Sequence, residues 1–286
     1  MFSPYAFAWL ASLIYGLEAV VGKLVSKHTI ANFWLFNFFW NLFILVLVIP
    51  LAWWYGAGWP TQWTSLVLTS LFYAANTISY VWALYRLDVS VFAPLYSFRV
   101  AMAVVFGVWL AGEVLTNGQY LLLAVIFLCG LGVSLDERLT LRSFFNSHIA
   151  VALFSMLTSV LAAVFLKQSV AEVGYWSTTL WSILLMQLWL VLTWPLFKID
   201  MAKVTARQYG AMFLPALLGT AALLAANKAY AHSVSLSSTI ISLPFSMIGA
   251  FLFSVFAPEL LEKHTLKVYA VRFASAAIMI VAALGL

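Results

Sequence analysis

Two charged residues sit deep inside apolar stretches of this chain: Glu18 in IYGLEAVVGK and Arg99 in APLYSFRVAMAVV. A charge at the centre of a bilayer costs about 2.5–3.5 kcal/mol on insertion scales, so each needs a reason to be there. A carboxylate such as Glu18 can bind a proton or the cationic group of a substrate. Its other role is to pair with a nearby cation and hold helices together. On a helix it shares a face with Ile14, Tyr15 and Gly22, and Gly22 admits close approach of a backbone or a ligand. Arg99 lies too deep to reach the interface by snorkelling, so it must face a bundle interior or a wet cavity. Its planar fork suits a substrate carboxylate or phosphate. The alternative is a buried pair with Glu18, or bonds to backbone carbonyls.

Polar residues of lower specificity accompany these charges. Asn76 and Gln187 fall near the middle of apolar segments, where hydrogen bonding between helices is the commoner use of an amide. Asn227, Lys228 and His232 cluster near the end of another segment, and Asn227 joins the candidate substrate-binding set. Among 13 Trp, 12 Tyr and 23 Phe, most Trp near segment ends belong to interfacial belts. Tyr15, Tyr80, Trp82, Tyr96 and Trp181 sit deeper and suit a cavity wall, where aromatic faces beside a carboxylate favour an ammonium group. The histidines show no metal-site spacing, Cys129 is alone, and neither a metal nor a cofactor is expected.

The elements that must position these residues follow from composition. An apolar fraction of 65%, a charged fraction of 8% and a mean hydropathy of +1.04 exclude a soluble globular chain. The formal charge of +5 is spread over short loops, which reads as orientation information and not as a nucleic-acid patch. With roughly 20 apolar residues per span, ten spans fall near 5–25, 32–54, 64–85, 89–111, 118–134, 147–166, 176–197, 209–231, 234–257 and 268–286. The expectation is an all-α integral membrane protein, ten transmembrane helices built as two inverted five-helix repeats. An odd number of spans per half forces the second half to insert upside down.

The repeat has two anchors. Glu113 in LAGEVL and Glu259 in FAPELL lie 146 positions apart, and Lys23 in AVVGKL matches Lys167 in AVFLKQ at a slightly shorter spacing. Both glutamates fall at span ends, which makes them structural anchors. Residues 1–286 form one membrane domain, with repeats over about 1–140 and 147–286. The N-terminal region lacks the basic start of a cleavable signal and begins the first span. Lys and Arg concentrate in loops after odd-numbered spans, which places those loops in the cytoplasm and both termini outside. Pro94, Pro215 and Pro244 lie within spans and mark hinges or kinks.

These residues carry a family resemblance. YGLEAVVGK, LAGEVL and FAPELLEK resemble the EamA-type members of the drug/metabolite transporter superfamily, which have ten helices in two five-helix repeats. Tyr15-Gly16 before Lys23 fits the family's aromatic-Gly pair, and Pro244 before Glu259 fits its proline. In the first half Phe98 stands at that proline's place, a departure from the pattern. The resemblance implies a carrier that moves small metabolites through a central cavity, and family members are often described with cytoplasmic termini, against the Lys/Arg distribution here.

The leading expectation is a secondary transporter working by alternating access, with no enzymatic activity, in the cell inner or plasma membrane. An acidic and a basic group on one cavity suit an amino acid or a related zwitterion or amine. Quaternary ammonium compounds, and phosphorylated or nucleotide-type metabolites, are alternatives. No GxxxxGK[ST] loop is present, so a gradient would drive transport, with a proton as the possible coupling ion. The partners expected are the substrate and the lipid bilayer, no nucleic acid, and a monomer or weak dimer. The rival from another class is a membrane enzyme acting on lipids, whose nearest carboxylate–histidine cluster is Glu259, Glu262 and His264.

Overall fold

The structure, a computed structural model, describes residues 4–87, 89–133, 147–248, 251 and 266–286. Its long helices are α1 (Pro4–His28), α2 (Phe33–Trp54), α3 (Thr64–Arg86), α4 (Val89–Ala111) and α5 (Asn117–Val133) in the first half. The second half holds α6 (Ser147–Val173), α7 (Tyr175–Val191), α8 (Ala206–Tyr230), α9 (Val234–Ile241) and α10 (Leu266–Leu284). Each falls at an expected span, and no strand occurs among the described residues. Five of them are long and apolar enough to cross a membrane: Tyr5–His28, Phe33–Trp54, Thr64–Arg86, His148–Val173 and Ala206–Tyr230.

Helix starts are written in local side chains. Asn32 caps α2 by accepting from the amides of Trp34 and Leu35, and Thr205 with Gln208 closes a capping box on α8. Ends follow proline and glycine. The seventh span stops at Val191, short of the expected 197, where a single 3₁₀ turn over Trp194–Leu196 contains Pro195. The ninth span departs further from expectation. α9 ends at Ile241, the chain turns through Ser242 and Leu243, and helix resumes only after Pro244. Proline there has no N–H to give, and its ring collides with the carbonyl four residues earlier. Pro215, by contrast, is carried inside α8. The side chain of Pro94 and the residues Glu259, Glu262 and His264 lie outside the described side chains and residues.

Most of the larger helix pairings survive exchange of each helix with the one five places along. α1 packs along α8 as α6 packs along α3, and α3–α7 contact answers α8–α2 contact. The pairs α2–α7, α4–α9 and α5–α10 map onto themselves. Such pairing is compatible with a five-plus-five duplication. Lipid gives no hydrophobic drive between helices, so close packing of small side chains has to hold them. Ala8 and Ala11 of α1 pack in one cluster with Ala225, Ala226 and Ala229 of α8, and Ala83 of α3 packs with Ala152 of α6.

Candidate functional site: a polar cavity between the halves

A cavity of about 200 Å³ lies where the two halves meet. α1 contributes Ser12, Tyr15 and Glu18, and α2 contributes Trp40 and Asn41. From α3 come Tyr73, Asn76, Thr77 and Tyr80, and from α4 come Tyr96 and Arg99. The second half supplies Ser155 and Ser159 of α6, Gly219 and Tyr230 of α8, and Ser242, Pro244 and Ser246 of the α9 break. The break therefore brings irregular backbone to the cavity wall, the one kind of place where a membrane interior tolerates it.

Glu18 and Arg99 both face this cavity and do not pair with each other. Glu18 is 4% exposed and has no hydrogen-bond or ion-pair partner among the described residues. Arg99 is 7% exposed; its Nη2 donates to the Tyr230 hydroxyl, while its buried Nε has no partner. Tyr15 and Tyr96 lie within electrostatic reach of both charges, so the two groups flank a shared space. The indole N–H of Trp40 is a third buried polar group left without a partner. Buried polar atoms are paired as a rule, and a cluster of exceptions on one cavity marks a place built for something else to bind.

One wall is held by its own hydrogen bonds, with Asn37 Nδ2 behind it left without a partner. Asn41 Nδ2 donates to Thr77 Oγ1 at 2.9 Å and to the Asn37 carbonyl at 2.7 Å, and Thr77 Oγ1 donates to Asn37 Oδ1 at 2.5 Å. Asn76 Oδ1 accepts from Ser155 Oγ at 3.1 Å. This wall offers a fixed polar surface, whereas among the residues lining the cavity Glu18, Trp40 and Arg99 have bonding capacity to spare.

The structure brings together Tyr15, Glu18, Asn76, Tyr80, Tyr96 and Arg99 from the expected set. It sets the other four elsewhere. Trp82 stacks on His148 with ring centroids 5.2 Å apart and carries the Arg86 guanidinium at 5.8 Å. Trp181 donates to the Gly58 carbonyl at 2.9 Å and joins Trp59 and Trp63 in an edge-to-face cluster beside the α2–α3 loop. Gln187 donates to the Phe38 carbonyl at 3.4 Å, within the α2–α7 contact. Asn227 stands one layer behind the wall, accepting from the Tyr73 hydroxyl at 2.8 Å. Trp181→Phe is accordingly expected to leave ligand affinity unchanged in a titration of the purified protein. Trp40, Asn41, Tyr73, Thr77, Gly219 and Tyr230 were not singled out by sequence. Asn37 and Asn41, one turn apart on an otherwise apolar α2, were the available signal.

The anchor glutamate lies apart from the cavity. Glu113, in the α4–α5 turn, accepts from Lys167 Nζ of α6 at 2.7 Å and from the first amides of α9, Val234 N at 2.5 Å and Ser235 N at 2.9 Å. Burial alone pushes its pKa up, but the hydrogen bonds from Lys167, Ser235 and Val234 outweigh burial and hold the carboxyl below its usual range. The matching lysine, Lys23, donates to the carbonyls of Leu84 and Leu87 at the α3–α4 junction. Lys23 of α1 and Lys167 of α6 thus each reach a helix junction.

An all-helical membrane bundle around a polar central cavity is the form of a small-molecule carrier. Residues 2–135, just under half of the chain, match the model of the EamA-like transporter family, the family that the sequence motifs resemble. That match, with five helices long and apolar enough to cross a membrane, points to a multi-pass membrane transporter of small molecules. A solved crystal structure shares the fold over 96% of this chain and 97% of its own, with a TM-score of 0.63 at 15% identity. No curated protein matches the chain.

Proposed function

We propose that this protein is a secondary transporter that carries an amino acid, or a related zwitterion or amine, by alternating access. The observation that carries the reading is the pair of buried, opposite, mutually unpaired charges on one cavity. Leaving a charge buried without a partner is costly, and a ligand ammonium at Glu18 with a ligand carboxylate at Arg99 removes both costs at once. Size agrees with this cargo. About 200 Å³ falls below the ~300–1,000 Å³ usual for drug-sized ligands, which favours a small metabolite over a nucleotide sugar. A proton on Glu18 in the empty carrier is the coupling step this reading implies. The membrane is the cell inner or plasma membrane, with the Lys/Arg-rich loops in the cytoplasm and the two repeats inverted about the cavity.

A thermal-shift screen of the purified protein with amino acids, amines, nucleobases and sugar phosphates tests the cargo. Zwitterions are expected to stabilise it, and Arg99→Ala to remove the effect. Stabilisation by simple amines alone would assign Arg99 a structural role and move the cargo to the amine class, to which the aromatic wall of Tyr15, Trp40, Tyr80 and Tyr96 is suited. Stabilisation by sugar phosphates alone would overturn the reading.

A further inference from the structure

Gly219 sits in the middle of α8, directly across from Glu18. A Cβ built on it would collide with Glu18 Oε1, and would lie 3.3 Å from both Glu18 Cδ and Trp40 Nε1. All three neighbours are ends of side chains, and no backbone atom is among them. The carboxylate thus occupies the space that a side chain at this position would take, with the unpartnered indole N–H beside it. Gly16 shows what a packing glycine looks like here. A Cβ on Gly16 would meet the backbone of the α9 break, with Ser246 N at 3.0 Å and Phe245 C at 3.1 Å. Gly16 lets two backbones approach; Gly219 makes room for one functional group.

We propose that Gly219 is the positioning residue of the cavity's cation end: by having no side chain it lets the Glu18 carboxylate withdraw against α8 beside Trp40, which leaves the space where a ligand ammonium is held. The inference rests on the reading that Glu18 holds the cation. A methyl group at 219 would swing the flexible carboxylate into the cavity, into the place of the ammonium, without forcing helices apart. Alanine also suits a helix interior better than glycine does. Stability and binding are therefore expected to move in opposite directions, which a purely structural glycine would not produce.

The test uses the full-length protein and three probes: L-phenylalanine, its methyl ester, which keeps only the amine, and 3-phenylpropanoic acid, which keeps only the carboxylate. Gly219→Ala is expected to hold or raise the ligand-free Tm while weakening L-phenylalanine and its ester by roughly tenfold or more. Whatever affinity the acid has should be unchanged. Glu18→Asp shortens the acidic side chain by one methylene, so the Glu18→Asp/Gly219→Ala double variant is expected to bind the ester more tightly than Gly219→Ala alone. Wild-type affinity in Gly219→Ala, a lower ligand-free Tm with equal loss for all three probes, or no recovery in the double variant would overturn the inference. Glu18→Gln separates the two levels. If it binds the ester as the wild type does, the cation-end reading itself falls. If it loses the ester while Gly219→Ala keeps it, only the role of Gly219 falls.

Discussion

Arg99→Ala is expected to weaken L-phenylalanine binding by roughly 30-fold or more, measured by titration calorimetry. Removing one side of a buried, hydrogen-bonded charge pair costs about 2–5 kcal/mol, and each ~1.4 kcal/mol is a factor of ten. The guanidinium is buried, and one of its edges is already fixed by Tyr230. Its Nε is left without a partner. That geometry separates Arg99→Lys from a conservative change. An ammonium can keep the charge, but it cannot serve Tyr230 and a ligand carboxylate from two edges of one plane. Arg99→Lys is therefore expected to recover only part of the lost affinity. Full recovery would show that charge alone matters at this position.

The second large effect is on stability. Glu113→Ala is expected to destabilise the protein by about 2–4 kcal/mol, a fall of roughly 5–10 °C in Tm. The carboxylate joins three elements that sequence separates widely: the α4–α5 turn that carries it, Lys167 on α6, and the start of α9. Its removal leaves two amides of α9 without their acceptor and Lys167 without its partner. Lys167 is partly solvated, which places the loss toward the lower end of that range. The pH dependence has a definite sign. The carboxyl is held below its ordinary value of 4.5, so its stabilisation is fully present above that pH. It is lost as pH falls through the depressed native value. The Tm gap between wild type and Glu113→Gln should accordingly be constant near neutrality and close on the acid side of pH ~4.5.

Sequence revealed the scaffold more readily than the site. The apolar segments located the helices of the described residues, five of them long enough to cross a membrane, because hydropathy is a property of a segment and needs no partner. Where expectation failed, the cause was local chemistry. Pro244 halts α9 a few residues before its ring, and a turn containing Pro195 shortens the seventh span. Glu18 and Arg99 were legible because a charge in an apolar run is costly enough to need a reason. The aromatic candidates divided by orientation, which composition does not encode. Tyr15, Tyr80 and Tyr96 turn to the cavity, whereas Trp82 and Trp181 find partners elsewhere. Gly219 was invisible for a different reason. Its significance lies in a side chain that arrives from α1, two hundred residues earlier in the chain, and only the folded packing of α1 on α8 reveals it.

In the proposed function one molecule of cargo spans from Glu18 to Arg99. The most direct test is to titrate L-phenylalanine methyl ester and 3-phenylpropanoic acid against wild type, Glu18→Gln and Arg99→Ala. A crossed pattern is expected. Arg99→Ala should weaken the acid and leave the ester unchanged, and Glu18→Gln should weaken the ester and leave the acid unchanged. A parallel pattern, in which either substitution weakens both ligands equally, would mean that the two charges hold the cavity together and not the cargo, and would overturn the proposed function.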